Sequence, residues 1–178
     1  SGFLPRDQDE PNADPVRFSP NPKLDALDTI IREAVGNQMT PTSAIVWAWY
    51  REDIRRIAEN FADLSPSIIA GGMTRTQRDA AEKAFRSGET RLLIGNPASA
   101  GVGLNLQAAS LAVYYSQSYN LEHRAQSEDR CHRSGSEIHE SVTYVDLVCA
   151  DTIDEAVRNV LAGKMALAEA VVEIREAL

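Results

Sequence analysis

A chain of 178 residues is long enough for one domain with short extensions and too short for two full ones. Its 18 basic and 26 acidic residues leave a net charge of −8, which excludes a broadly basic nucleic-acid glove and confines any nucleic-acid contact to a local patch. No apolar run approaches the ~20 residues of a membrane span, and no basic-then-apolar leader opens the chain, so it reads as intracellular. Cys131 and Cys149 stand 18 residues apart with no Cys-x-x-Cys pair, which argues against a zinc ribbon and a disulfide scaffold.

Residues 1–22 hold five of the eight prolines and no periodic apolar pattern, the composition of a linker or N-terminal arm. From Lys23 the pattern changes. Leu24, Leu27, Ile30, Ile31 and Val35 fall at helical spacing, and Gly36 ends the run. Ala44–Tyr50 is short, apolar and rich in β-branched and aromatic residues, as expected of a buried strand. Ile54, Ile57, Ala58 and Phe61 return to helical spacing. A weak strand follows at Ser67–Ala70, then a helix over Thr76–Arg86 and a strand over Arg91–Ile94. Leu111–Tyr115 and Val142–Val148 read as two further strands, separated by a polar helix near Leu121–His132. The residues from Thr152 onward read as one or two helices. Strands alternating with helices imply a doubly wound α/β domain with a mainly parallel sheet covered on both faces. Trp47 and Trp49 alternate onto one face of their strand, so packing together beneath a helix is expected, with a base-stacking platform the sharper alternative.

Ligands of such sheets gather beyond the carboxyl ends of the strands. Two segments there carry chemistry. Gly95–Leu106 is a loop of small residues in which a backbone or a phosphate can approach closely. It is neither a dinucleotide fingerprint, since Leu106 stands where the third glycine belongs, nor a Walker A motif. Further on, Gln126, Arg130 and Arg133 recur at spacings of four and three, which places all three on one helix face. Adjacent guanidinium groups repel unless an anion lies between them, so this face suits a polyphosphate; an exposed face paired with Glu128, Asp129 or Glu137 is the plainer reading. His132 and His139 lack a second cysteine or carboxylate at ligand spacing, so no metal site is expected. Asp154-Glu155 reads as the acidic first turn of a helix rather than a Mg²⁺ box.

The order of these features resembles the second, C-terminal RecA-like lobe of superfamily-two helicases, and within them the Swi/Snf-type translocases of phage and bacterial kind. The features are Ala44–Phe61, Gly71-Gly72 with Arg78 and Phe85, the Gly101/Gly103/Asn105 loop, Gln126-x-x-x-Arg130-x-x-Arg133, and Thr152-Ile153-Asp154-Glu155. The resemblance implies a three-layer α/β/α RecA-like domain over residues 23–178 with a helical C-terminal extension, one half of an ATP-driven motor on nucleic acid. It also implies that Arg130 and Arg133 are catalytic arginine fingers, that Gln126, Gly103 and Asn105 line the nucleotide side of the cleft, and that Asn96, Ser99 and Gly101 face the nucleic-acid backbone. The expected partners are an N-terminal RecA-like lobe of the same parent chain and DNA, with RNA left open, in the cytoplasm of a bacterial cell or phage-infected host. This chain departs from the family at Trp49 and Ser136, each in place of Gln, at Pro97 in place of Thr, and at Ala100 in place of Gly.

Phosphoryl transfer needs a phosphate cradle, a lysine, an acidic Mg²⁺ ligand and a placed water. The sequence carries none of these, so ATP and Mg²⁺ are expected on the other lobe, with neither bound tightly here. A non-catalytic interaction module derived from such a lobe, and a Rossmann-type small-molecule domain, are the alternatives.

Overall fold

The computed structural model describes residues 3–4, 16–17, 19–36, 42–99, 103–131, 139 and 141–176. Phe3–Leu4 (β1) and Val16–Arg17 (β2) form a short antiparallel pair. The remaining elements alternate along the chain: α1 (Pro22–Gly36), β3 (Ala44–Trp47), α2 (Arg51–Asn60), β4 (Ser67–Ile69), α3 (Arg75–Arg86), β5 (Leu92–Gly95), β6 (Leu111–Tyr114), α4 (Leu121–Cys131), β7 (Thr143–Asp146) and α5 (Ile153–Glu176). The five later strands make one all-parallel sheet in the order β4-β5-β3-β6-β7.

Successive strand residues point to opposite faces, and here both faces are apolar. Ala44, Val46, Leu92, Ile94, Leu111 and Val113 join Leu27 and Ile31 of α1 and Ile54 and Ile57 of α2 in one buried cluster. The alternate residues Ile45, Trp47, Leu93, Ala112 and Tyr114 join Phe85 of α3 and Cys131 of α4 in the other. The sheet is therefore the middle of three layers, as the alternating sequence pattern requires. The C-terminal residues form a single helix, α5, whose first turn holds Asp154 and Glu155.

β3, β4, β6 and β7 are shorter than the segments expected for them, while β5 keeps its length and ends one residue later, at Gly95. β3 stops at Trp47, and this corrects the expectation for the two tryptophans. Trp47 is fully buried in the second cluster, whereas Trp49 lies past the strand end, half-buried, and its ring stacks on His123 of α4. Alternation places side chains only while the backbone stays extended, and it does not extend to Trp49. Gly95 sits beside Trp47 for a related reason. A Cβ there would lie 3.0 Å from Trp47 Cζ3 and 3.3 Å from the Ile69 carbonyl oxygen.

Candidate nucleotide and nucleic-acid interface

At the carboxyl end of β5, Asn96 organises the turn that follows. Its Oδ1 accepts from the N–H groups of Ala98 (2.9 Å) and Ser99 (3.4 Å), and its Nδ2 donates to the Trp49 carbonyl at 2.7 Å. An asparagine that folds its own loop in this way fixes where the next residues point. Ser99 faces the glycine pair that follows β4. Both Ser99 Oγ and Arg51 Nη2 lie 3.6 Å from where a Gly71 Cβ would stand, so Gly71, Arg51 and Ser99 meet at this edge. Gly72, at φ +90°, turns the chain there. Sequence reasoning missed Arg51. Its only signal is position, as the first residue of the helix that leaves the carboxyl end of a central strand. Gly101 lies outside the described residues.

The loop returns through Gly103, whose φ of +78° favours glycine and whose Cα faces open space. Leu104 and Leu106 are buried in the second cluster and anchor this half of the loop. Asn105 N–H donates to Glu82 Oε1 of α3 at 2.9 Å, and Asn105 Oδ1 accepts from Gln107 N–H at 3.2 Å. Leu106 N–H donates to the carbonyl of Arg130 at 3.1 Å, which joins the loop to the last turn of α4. A cleft of about 330 Å³ opens beside Gly103 and Leu104, lined also by Arg75, Arg78, Asp79 and Glu82 of α3.

On α4, Ser127 and Cys131 are buried; the Tyr114 hydroxyl and Ser127 Oγ are 2.7 Å apart, and burial pushes the Cys131 thiol up to about 12. Gln126 and Arg130 occupy the neighbouring, half-exposed face. Gln126 Nε2 donates to Glu122 Oε1 at 2.8 Å, and Arg130 has its Nε buried. Arg133 lies outside the described residues. Another arginine of this helix, Arg124, is held by Glu128 and Asp146 and lies over the Tyr114 ring at 3.6 Å.

The end of β3 is fixed from below. Asp53 is buried in α2, and its Oδ2 accepts from Ser116 Oγ at 2.7 Å; Ser116 Oγ in turn accepts from Trp49 N–H at 2.9 Å. Burial pushes the Asp53 carboxyl up, and the Ser116 hydrogen bond offsets only part of that rise. Among the described residues no group of three or more His, Cys, Asp or Glu side chains is placed to hold a metal ion. No helix among them is long and apolar enough to cross a membrane.

This arrangement has relatives. The model of the helicase conserved C-terminal domain matches residues 22–135. The lymphoid-specific helicase of Homo sapiens is 29% identical over 111 residues, which cover 62% of this chain and 13% of that protein. Protein p41 of Acyrthosiphon pisum secondary endosymbiont phage 1 is 28% identical over 155 residues, 85% of this chain and 31% of that one. The C-terminal part of the Fun30 ATPase domain superposes with a TM-score of 0.68 at 21% identity, covering 78% of this chain and 44% of that one, and so shares the fold. The chain thus spans less than a third of either of these two sequence relatives. On the match to more than half of its length, with a five-stranded parallel sheet between helical layers, the chain belongs to the helicase C-terminal domain family, the second RecA-like lobe of superfamily-two helicases, and resembles the Swi/Snf-type members.

Proposed function

We propose that this chain is the C-terminal motor lobe of an ATP-dependent DNA helicase or translocase. In this reading residues 1–22 are the arm that leads from the N-terminal lobe and residues 23–178 are the lobe itself. ATP and Mg²⁺ are held mainly by the N-terminal lobe, which supplies the phosphate cradle and the metal ligands. Arg130 and Arg133 reach across the closed cleft as arginine fingers, with Gln126, Gly103 and Asn105 beside the nucleotide. Planar guanidinium groups stabilise the charge that develops on the transferred phosphoryl group, a contribution of about 10³–10⁵ in rate. Ser99, Gly101 and the turn built by Asn96 face the nucleic-acid backbone, and Arg51 adds positive charge beside Ser99.

The observation that carries this reading is the hydrogen bond from Leu106 N–H to the Arg130 carbonyl within a chain matched to the helicase C-terminal family. It ties the segment that follows Gly103 to the turn of α4 that carries Arg130. The test joins the chain to its N-terminal lobe and measures nucleic-acid-stimulated ATP hydrolysis. Arg130→Ala and Arg133→Ala are each expected to lower turnover by about 10³. Arg130→Lys, which keeps the charge and loses the planar fork, is expected to rescue little of it. Unchanged turnover in folded variants would leave a non-catalytic interaction module as the function.

A further inference from the structure

Trp49 sits at a junction that the motor reading above does not use. Its backbone N–H and carbonyl are both held by side chains. The N–H donates to Ser116 Oγ at 2.9 Å, and the Ser116 proton is committed to buried Asp53 at 2.7 Å, so the hydroxyl can face Trp49 only as an acceptor. The carbonyl accepts from Asn96 Nδ2 at 2.7 Å, and the other end of the Asn96 amide holds the N–H groups of Ala98 and Ser99. The ring lies against His123 with centroids 5.2 Å apart and planes inclined by 30°.

His123 is three residues before Gln126 and seven before Arg130, so all three share one face of α4. Trp49 therefore presses on the first turn of that face, while the Leu106–Arg130 hydrogen bond holds the last turn. The Asn96–Ser99 turn is thereby attached to the first turn of α4 through Trp49, and Leu106 is attached to its last turn directly. Interlocked polar and packed groups of this kind have a few discrete arrangements rather than a continuum.

We propose that Trp49 is a positioning residue that makes the Asn96–Ser99 turn and the helix α4 shift as one unit. Its meaning for catalysis rests on the lobe reading: a nucleic-acid backbone that displaces Asn96–Ser99 would carry Gln126 and Arg130 with it. The coupling itself is a property of the folded chain and is measured without nucleotide or nucleic acid, so failure of either idea is told apart from failure of the other.

The experiment is amide hydrogen exchange of the 178-residue chain, read at residues 123–130, in the wild type, Asn96→Ala, Trp49→Ala and the double variant. Asn96→Ala is expected to speed exchange of these α4 amides about fivefold in the wild-type background and less than about twofold in the Trp49→Ala background, the non-additivity expected of coupled sites. Trp49→Phe, which keeps a ring against His123, is expected to restore most of the fivefold response. A tryptophan that merely fills space would give equal factors in both backgrounds. Equal factors, or no α4 response to Asn96→Ala in either background, overturn the proposal. If Trp49→Ala does not fold, His123→Ala removes the same stack from the other side and must show the same loss of response.

Discussion

Lys23 and Asp154 show how much one ion pair can organise. Lys23 Nζ lies 2.5 Å from Asp154 Oδ2, with side-chain exposures of 4% and 14%, and Asp154 Oδ2 also accepts from Cys149 N–H at 3.2 Å. The pair fastens the start of α1 to the start of α5, 131 residues later in the chain. Burial alone would push the Asp154 carboxyl up, but the hydrogen bond and charge of Lys23 outweigh it and hold the group below the ordinary carboxylate range. Because the folded value is the lower one, the stabilisation is fully present above the unfolded value of about 4 and is lost as pH falls through the folded value. Asp154→Asn strands a buried ammonium and is expected to cost about 2–4 kcal/mol at neutral pH, a loss that shrinks as the pH drops below about 4. Urea unfolding of both proteins across that range checks the sign. A penalty that stayed constant with pH would assign the loss to packing.

Among the helices, α3 is the one whose start is written most clearly. Thr74 Oγ1 accepts from Gln77 N–H at 3.3 Å while Gln77 Oε1 accepts from Thr74 N–H at 2.9 Å, a reciprocal capping box. The helix buries only Phe85 fully, so its stability depends on that cap more than on its packing. It also supplies Glu82, which holds Asn105, and the arginines beside Gly103. Thr74→Ala is expected to cost about 1 kcal/mol, a fall of about 2–4 °C in Tm for a chain of this size, measured by calorimetry. An unchanged Tm would place the stability of α3 in its contacts rather than its cap. α2 behaves differently, because Tyr50 gives no side-chain cap and Asp53, Ile54 and Ile57 fix the helix by burial.

For the chain as a whole, charge sets the terms of any contact with nucleic acid. A net charge of −8 leaves a long-range field that repels a polyanion, so binding must come from a few groups at the sheet edge. Arg51 beside Ser99 and Gly71 is one such group. With about two phosphate contacts, affinity for a DNA duplex is expected to be weak and to fall about tenfold between about 50 and about 200 mM salt. Fluorescence anisotropy across that range checks it. A loss of about a thousandfold would require a larger basic track than the one proposed, and no salt dependence would remove the phosphate contacts altogether.

From α1 onward the sequence by itself determined the order of strands and helices, because short continuous apolar runs and helical spacing are local signals that each segment carries alone; the β1–β2 pair, in a segment that reads as a linker, carried no such signal. It also determined the family, since the glycine loop and the Gln126, Arg130 and Arg133 spacing lie at fixed offsets along the chain. Strand ends were less legible: Ala48, Trp49 and Tyr50 continue an apolar run, yet β3 ends at Trp47 where its pairing with Gly95 and Tyr114 stops. Only the tertiary structure decided which side chains meet across that end. Asn96 lies 47 residues from Trp49, Ser116 lies 63 from Asp53, and Leu106 meets Arg130 across an intervening strand. No periodicity encodes such contacts. They exist because a parallel sheet brings the carboxyl ends of β5, β3 and β6 side by side, and that adjacency belongs to the fold rather than to any segment of it.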